Sequence, residues 1–97
     1  MTVGPECATL TLGDAPPTRL SGPRRRLVEL LVDEHASGRI VTLWELFERG
    51  WPGERPVFEA GKNRVYVTLS RLRQAGLPVE RFDDGYRLDP RARVRRD

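Results

Sequence analysis

The stretch that decides the fold is NRVYVTLSRLR, residues 63–73. Within it, Val65, Leu69 and Leu72 recur at the spacing of one face of an α-helix. The pattern predicts a helix over residues 60–75, which Gly76 ends. The opposite side of this predicted helix carries polar and basic residues and no acidic one. A solvated helix face usually carries mixed charge, so this face is a candidate for contact with a polyanion.

Two shorter patterns before this helix predict further helices. A capping serine and an early proline precede leucines at helical spacing, which predicts a helix over residues 22–36. Thr42 and Glu45 have the spacing of a capping box and predict a short helix over residues 43–49. Prolines and glycines make residues 50–56 a loop. The second and third helices are therefore expected to be joined by an irregular connection.

Strand patterns flank the three helices. Residues 6–20 alternate and then break at a glycine-proline turn, which predicts a short N-terminal β-hairpin. Residues 79–89 read as a second hairpin, a wing that turns around Asp83 and Asp84. Residues 91–97 are basic and aperiodic, and we expect a flexible tail. The predicted fold is α+β, a winged helix-turn-helix forming a single domain over residues 1–90.

Length and composition exclude several classes of protein. The chain has 97 residues, which is the size of one domain, and 38% hydrophobic residues, which suits a folded globule. No apolar run is long enough to span a bilayer and no signal peptide is recognisable, so a cytoplasmic protein without membrane contact is expected. A single cysteine and a single histidine offer no disulfide and no metal site. We therefore expect no enzyme activity, no catalytic residue and no cofactor.

The basic charge is unevenly placed. The net charge is only +3, yet residues 59–97 contain 10 basic and 6 acidic residues. Of the 17 basic residues, all but Lys62 are arginine. Arginine suits bidentate contacts with phosphates and bases, but an arginine-rich coding bias explains the same count. Charge alone therefore does not establish a nucleic-acid partner.

Three motifs together resemble a known family. These are TLWEL at residues 42–46, the third-helix stretch 63–73 and GYRL at residues 85–88. Together with Trp51 after a glycine, they are similar to the OmpR/PhoB-type effector domain of bacterial response regulators. The resemblance covers about residues 8–89. It implies transcription regulation through duplex DNA, with the third helix in the major groove and the wing near the adjacent minor groove.

The resemblance also implies roles for individual residues of the third helix. Those expected to face base edges are Asn63, Arg64, Val67, Ser70 and Arg71. Those expected to touch phosphates are Lys62, Thr68 and Arg73. Arg71, at the centre of the outward face, is the best candidate for a bidentate guanine contact. Tyr66, on the flank of the helix, could meet the DNA backbone or a thymine methyl, or pack on the neighbouring loop.

The wing allows two interpretations. With a loop of three residues, 83–85, Phe82 and Tyr86 would share one face and Arg81 would face Arg87 on the other. A bound polyanion would relieve that repulsion, so both arginines are candidate DNA contacts. Alternatively, they pair with nearby acids such as Glu80 or Asp89. The acidic tip departs from the family pattern, because carboxylates repel a phosphate backbone.

A protein partner is the alternative function. In the family, the loop between the second and third helices can contact RNA polymerase; here it would be residues 50–61. Val57 and Phe58 are apolar residues of this loop without an expected core position, and such residues can mark a protein contact. The alternative is thus a protein-protein interaction module of a larger signalling regulator. No phosphoacceptor domain precedes the predicted fold, so a stand-alone protein and a piece of a larger regulator both remain open, with dimerisation or tethering expected for specific binding.

Overall fold

The structure is a computed structural model that describes residues 1–82 and 84–97. Asp83, one of the two acidic residues predicted at the wing tip, lies outside the described residues. The fold is α+β, with three helices: α1 (Gly22–His35), α2 (Leu43–Gly50) and α3 (Phe58–Gln74). The strands are β1 (Thr2–Val3), β2 (Thr9–Thr11), β3 (Thr18–Arg19), β4 (Val41–Thr42), β5 (Val79–Phe82), β6 (Gly85–Leu88) and β7 (Arg95–Arg96).

Helix α1 is the centre of the core. Its buried side chains are Leu27, Val28, Leu30, Leu31 and Val32. It packs against α2, α3 and strand β6. Apolar burial of this kind is the main force that holds small helices in place. Among the described residues, no helix is long and apolar enough to cross a membrane.

Helix α2 begins where its sequence predicts. The Thr42 hydroxyl accepts a hydrogen bond from the Glu45 backbone N–H at 3.2 Å. This bond satisfies one of the N–H groups that have no partner at a helix start. The adjoining residues of β4 fix the direction from which the chain enters the helix.

We expect Thr42→Ala to lower the free energy of unfolding by about 1 kcal/mol, because it leaves the Glu45 N–H without its acceptor. Urea denaturation followed by far-ultraviolet circular dichroism measures the change. Thr42→Ser keeps the hydroxyl and should remain within about 0.5 kcal/mol of the parent. Equal losses in both variants would show that the methyl group of the threonine matters more than the cap.

The C-terminal segment differs from the flexible tail predicted for residues 91–97. Strand β7 pairs in parallel with β1 and completes a four-stranded sheet of order β3-β2-β1-β7. Arg96 donates to Asp33 of α1 at 2.8 Å, and a ring nitrogen of His35 lies 2.7 Å from the Ala92 carbonyl oxygen. The prediction failed because the partner strand lies at the opposite end of the sequence, where no local pattern reveals it.

The second hairpin also differs from its predicted register. Strands β4, β6 and β5 form a three-stranded sheet in that order. Phe82 pairs with Gly85 and Arg81 pairs with Tyr86, so Gly85 belongs to the strand and not to a three-residue loop. Because side chains alternate along a strand, Arg81 and Tyr86 share one face and Arg87 lies on the other. The expectation that Arg81 faces Arg87, and that Phe82 and Tyr86 share a face, was therefore wrong.

Candidate nucleic-acid interface

Helix α3 divides into a buried and an exposed face. The residues that it buries are Gly61, Val65, Leu69 and Leu72. At Gly61 a Cβ atom would lie 3.3 Å from both Pro56 and Trp44, so α2 and α3 approach closely at this position. The helix therefore lies tightly on the core, and its opposite face is held outward as a rigid surface.

The exposed face contains most of the residues predicted to contact bases. Asn63, Val67, Ser70 and Arg71 are all exposed, and the Val67 side chain retains 40% of its accessible surface. Within the part of the chain that the structure describes, Arg71 has no carboxylate within ion-pairing distance. A free guanidinium flanked by small polar side chains can approach a planar acceptor such as a guanine edge.

Arg64 lies at the edge of this face and is engaged within the protein. Its guanidinium forms an ion pair and a hydrogen bond with the Glu54 carboxylate in the preceding loop. The Thr68 hydroxyl donates to the Arg64 carbonyl oxygen at 2.8 Å, so Thr68 is also occupied. A ligand that uses the same Arg64 nitrogen, or the proton of the Thr68 hydroxyl, would have to displace these bonds. The spacing of residues along α3 does not indicate that Arg64 binds Glu54 in the preceding loop.

The first turn of α3 adds an acidic residue that the predicted helix lacked. The helix begins at Phe58 and not at residue 60, so Glu59 belongs to it. A carboxylate is favourable there, because the backbone N–H groups of a helix start are partly positive. From residue 60 onward, α3 contains no acidic residue. The acid-free part of the helix therefore begins at its third residue.

The flank of α3 meets the C-terminal hairpin through alternating cations and aromatic rings. The Lys62 ammonium lies 5.6 Å from the centre of the Tyr66 ring, and the Arg81 guanidinium carbon lies 5.3 Å from the same centre. Arg81 also donates to the Tyr66 hydroxyl at 3.2 Å. Arg73, further along the helix, is exposed, with a guanidinium nitrogen 3.4 Å from the Val79 carbonyl oxygen. Lys62, Arg73 and Arg81 thus lie along one junction.

Arg87 is separated from this junction. Its guanidinium carbon lies 4.3 Å from the centre of the Phe82 ring, and its Nε atom lies 3.9 Å from a Glu80 carboxylate oxygen. Of the two alternatives for the hairpin arginines, proximity to an acid therefore describes Arg87, at ion-pair distance and without a hydrogen bond from its Nε atom among the described residues. Arg81 instead contacts Tyr66.

The hairpin is anchored beneath these cations by a buried tyrosine. Tyr86 retains 4% of its accessible surface, and its ring centre lies 6.5 Å from that of Tyr66. Burial is the main reason that the pKa of the Tyr86 phenol is raised above its ordinary value, so the group stays protonated at neutral pH. Tyr86 thus packs as a buried ring behind Tyr66, the tyrosine that Arg81 contacts.

Apolar side chains surround the start of α3. Val57 and Phe58 are exposed by 76% and 53%, and the Phe58 ring centre lies 5.4 Å from that of Trp44, itself 40% exposed. Val57 and Phe58 were predicted as a possible protein contact. The structure places them at the beginning of a helix rather than in a loop. Trp44, in α2, belongs to the same exposed apolar surface.

Comparison of the chain with known protein families, curated proteins and solved structures finds no match.

Proposed function

We propose that this chain is a DNA-binding module of winged helix-turn-helix type, which inserts α3 into the major groove of duplex DNA. The β5-β6 hairpin serves as its wing and lies against the neighbouring backbone. The observation that carries the proposal is the surface formed by α3 and the hairpin: exposed, without an acidic residue on α3 beyond Glu59, and centred on an arginine with no described carboxylate partner.

The contrast with other arginines supports this function. Several arginines outside α3 and the hairpin are paired with acids, as in the bridge from Arg39 to Glu34 and Glu45, with oxygens at 2.8 Å. Arg71, Arg73, Arg81 and Lys62 have no such carboxylate among the described residues. Unpaired cations also occur elsewhere, as at Arg19 and Arg93, so the grouping around α3 is the distinguishing feature. A polyanion is the ligand that such a group attracts.

Binding to random-sequence duplex DNA at ~50 and ~200 mM salt tests the proposal. On random-sequence DNA no guanine is selected for Arg71, so we take it to meet the backbone as Lys62, Arg73 and Arg81 do. With these four side chains each neutralising one phosphate, we expect a salt slope of about 3.6 and a loss of affinity of roughly 100-fold over this range. Fluorescence anisotropy of a labelled duplex measures it.

Two double variants show whether the DNA binds where we propose. Arg71→Ala with Arg73→Ala should lower the salt slope by about 2. Arg19→Ala with Arg93→Ala removes the same charge at exposed positions outside α3 and the hairpin, and should change the slope by less than ~1. No binding at low salt, or equal slopes for the two double variants, would rule the function out.

A protein-interaction module is the second candidate function. The exposure of Val57 and Phe58 favours it, because neighbouring apolar side chains in solvent often mark an interface. RNA polymerase or another regulator domain would be the partner by analogy with the OmpR/PhoB-type family. Kinship with that family, and a role in bacterial transcription regulation in the cytoplasm, are themselves proposals that rest on the sequence motifs. Dimerisation or tethering would supply the affinity that one small module lacks.

A further inference from the structure

A groove separates α3 from the hairpin and is not used by the proposed contact between α3 and bases. Its volume is about 360 Å³, within the range of small-molecule sites. Trp44 and Phe58 lie on one side, Arg81 and Gly85 on the other, and Tyr66 and Tyr86 complete the aromatic lining. Four aromatic rings around one opening form an apolar surface that is in contact with water when no ligand is bound. Covering this surface with an apolar ligand is therefore favourable.

The groove has a cationic rim. Arg81 lines it directly, and the Lys62 ammonium lies 5.8 Å from the centre of the Phe58 ring. Both cations rest against aromatic faces, and neither has a carboxylate within ion-pairing distance among the described residues. Asp84 also lines the groove, and Glu59 lies in the adjacent first turn of α3. An anion that binds there must therefore sit at the Lys62 and Arg81 side.

We propose that this groove binds a small aromatic anion: a molecule of one or two rings that carries a carboxylate or a similar acidic group. The rings pack against Trp44 and Phe58, where they bury apolar surface that is now exposed. The acidic group accepts charge-assisted hydrogen bonds from Arg81 and Lys62. Arg81 is held ready for this by its bond to the Tyr66 hydroxyl, so little side-chain freedom is lost on binding.

The groove shares Lys62 and Arg81 with the proposed DNA contact but lies apart from the face of α3 that would read bases. The base-reading face of α3 is centred on Arg71, whereas the groove lies on the flank beyond Tyr66. A ligand can therefore be tested without DNA. The result does not depend on whether the chain binds DNA at all.

Three probes distinguish the contribution of the aromatic rings from that of the acidic group. They are 2-naphthoate, the neutral 2-naphthalenemethanol and the non-aromatic cyclohexanecarboxylate. We expect 2-naphthoate to bind at least about fivefold more tightly than either of the others, because only it uses both halves of the site. Two-dimensional ¹H–¹⁵N spectra of the whole chain give the dissociation constants and locate the shifts at residues lining the groove. No binding of 2-naphthoate at millimolar concentration, or equal binding of 2-naphthalenemethanol, overturns the proposal.

Matched variants locate the site. Phe58→Ala and Arg81→Gln should each weaken 2-naphthoate about fivefold or more. Val57→Ala and Arg55→Gln change an exposed apolar residue and an exposed arginine outside this groove, and should leave the affinity unchanged. Thermal melts followed by circular dichroism show that each variant is folded. Equal weakening in the control variants, or full affinity in folded Phe58→Ala and Arg81→Gln, contradicts a site in this groove.

Discussion

Replacing Gly85 with alanine is expected to lower the free energy of unfolding by about 3 kcal/mol, the largest stability effect that we foresee for a single methyl group. A Cβ atom at this position would lie 2.5 Å from the Ile40 side chain and 2.6 Å from the Val41 carbonyl oxygen. The backbone cannot yield cheaply, because Val41 pairs with Tyr86 and Thr42 pairs with Gly85. The added methyl group must therefore push the hairpin away from β4.

Urea denaturation measures this loss, provided that the m-value of the variant equals that of the parent protein. Gly13→Ala is the comparison variant: Gly13 has a φ of +57° and no atom near its absent side chain, so alanine there meets only backbone strain. We expect about 1 kcal/mol for Gly13→Ala. If Gly85→Ala lowers the free energy of unfolding no more than Gly13→Ala does, the close packing of the hairpin on β4 does not contribute to stability as we expect.

The same glycine explains why the hairpin register could not be predicted. In sequence, Asp83, Asp84 and Gly85 look like one turn, and a three-residue loop is a common solution. In the structure Gly85 pairs on both sides, with Phe82 in β5 and with Thr42 in β4. Strand β4 is far away in sequence. The pairing with Thr42 that places Gly85 in the strand therefore cannot be predicted from the local sequence.

Helical periodicity was more informative, because it reports burial directly. Val65, Leu69 and Leu72 are all buried, as their spacing indicated. The start of α3 was harder to place, since no capping side chain marks it and Val57 at the N-cap makes no side-chain bond. Two extra residues at that end brought Phe58 and Glu59 into the helix. Phe58, which lines the apolar groove, thus lies in the part of α3 that the helical periodicity did not predict.

The candidate site shows a similar division. Spacing alone indicated which α3 residues face outward, including Asn63 and Arg71. It could not show that Arg64 is occupied by Glu54, because that acid lies in an irregular loop. Nor could it show that Arg81 reaches Tyr66. Positions on one helix can be derived from the sequence, whereas the partners of long side chains require the tertiary structure.

This distinction makes Arg71 the position where base discrimination should be concentrated. Its guanidinium is exposed and has no described carboxylate partner, whereas one nitrogen of Arg64 is already bound to Glu54. If DNA binds as proposed, Arg71→Ala should cost about 2 kcal/mol, roughly 30-fold in affinity, on duplexes selected from a random pool by the parent protein. The expected loss is specific to one or two base pairs, because a bidentate contact reads a single guanine edge.

Arg71→Lys separates charge from geometry. Lysine keeps the positive charge but lacks the planar fork, so we expect the salt slope on random DNA to stay within ~0.5 of the parent value. Discrimination against single-base variants of the selected duplex should nevertheless fall to the level of Arg71→Ala, as competition binding would show. If both variants kept the parent's base preferences, Arg71 would not read the sequence. Recognition would then have to come from Asn63, Val67 and Ser70, the other exposed residues of the same face, or from the shape of the DNA.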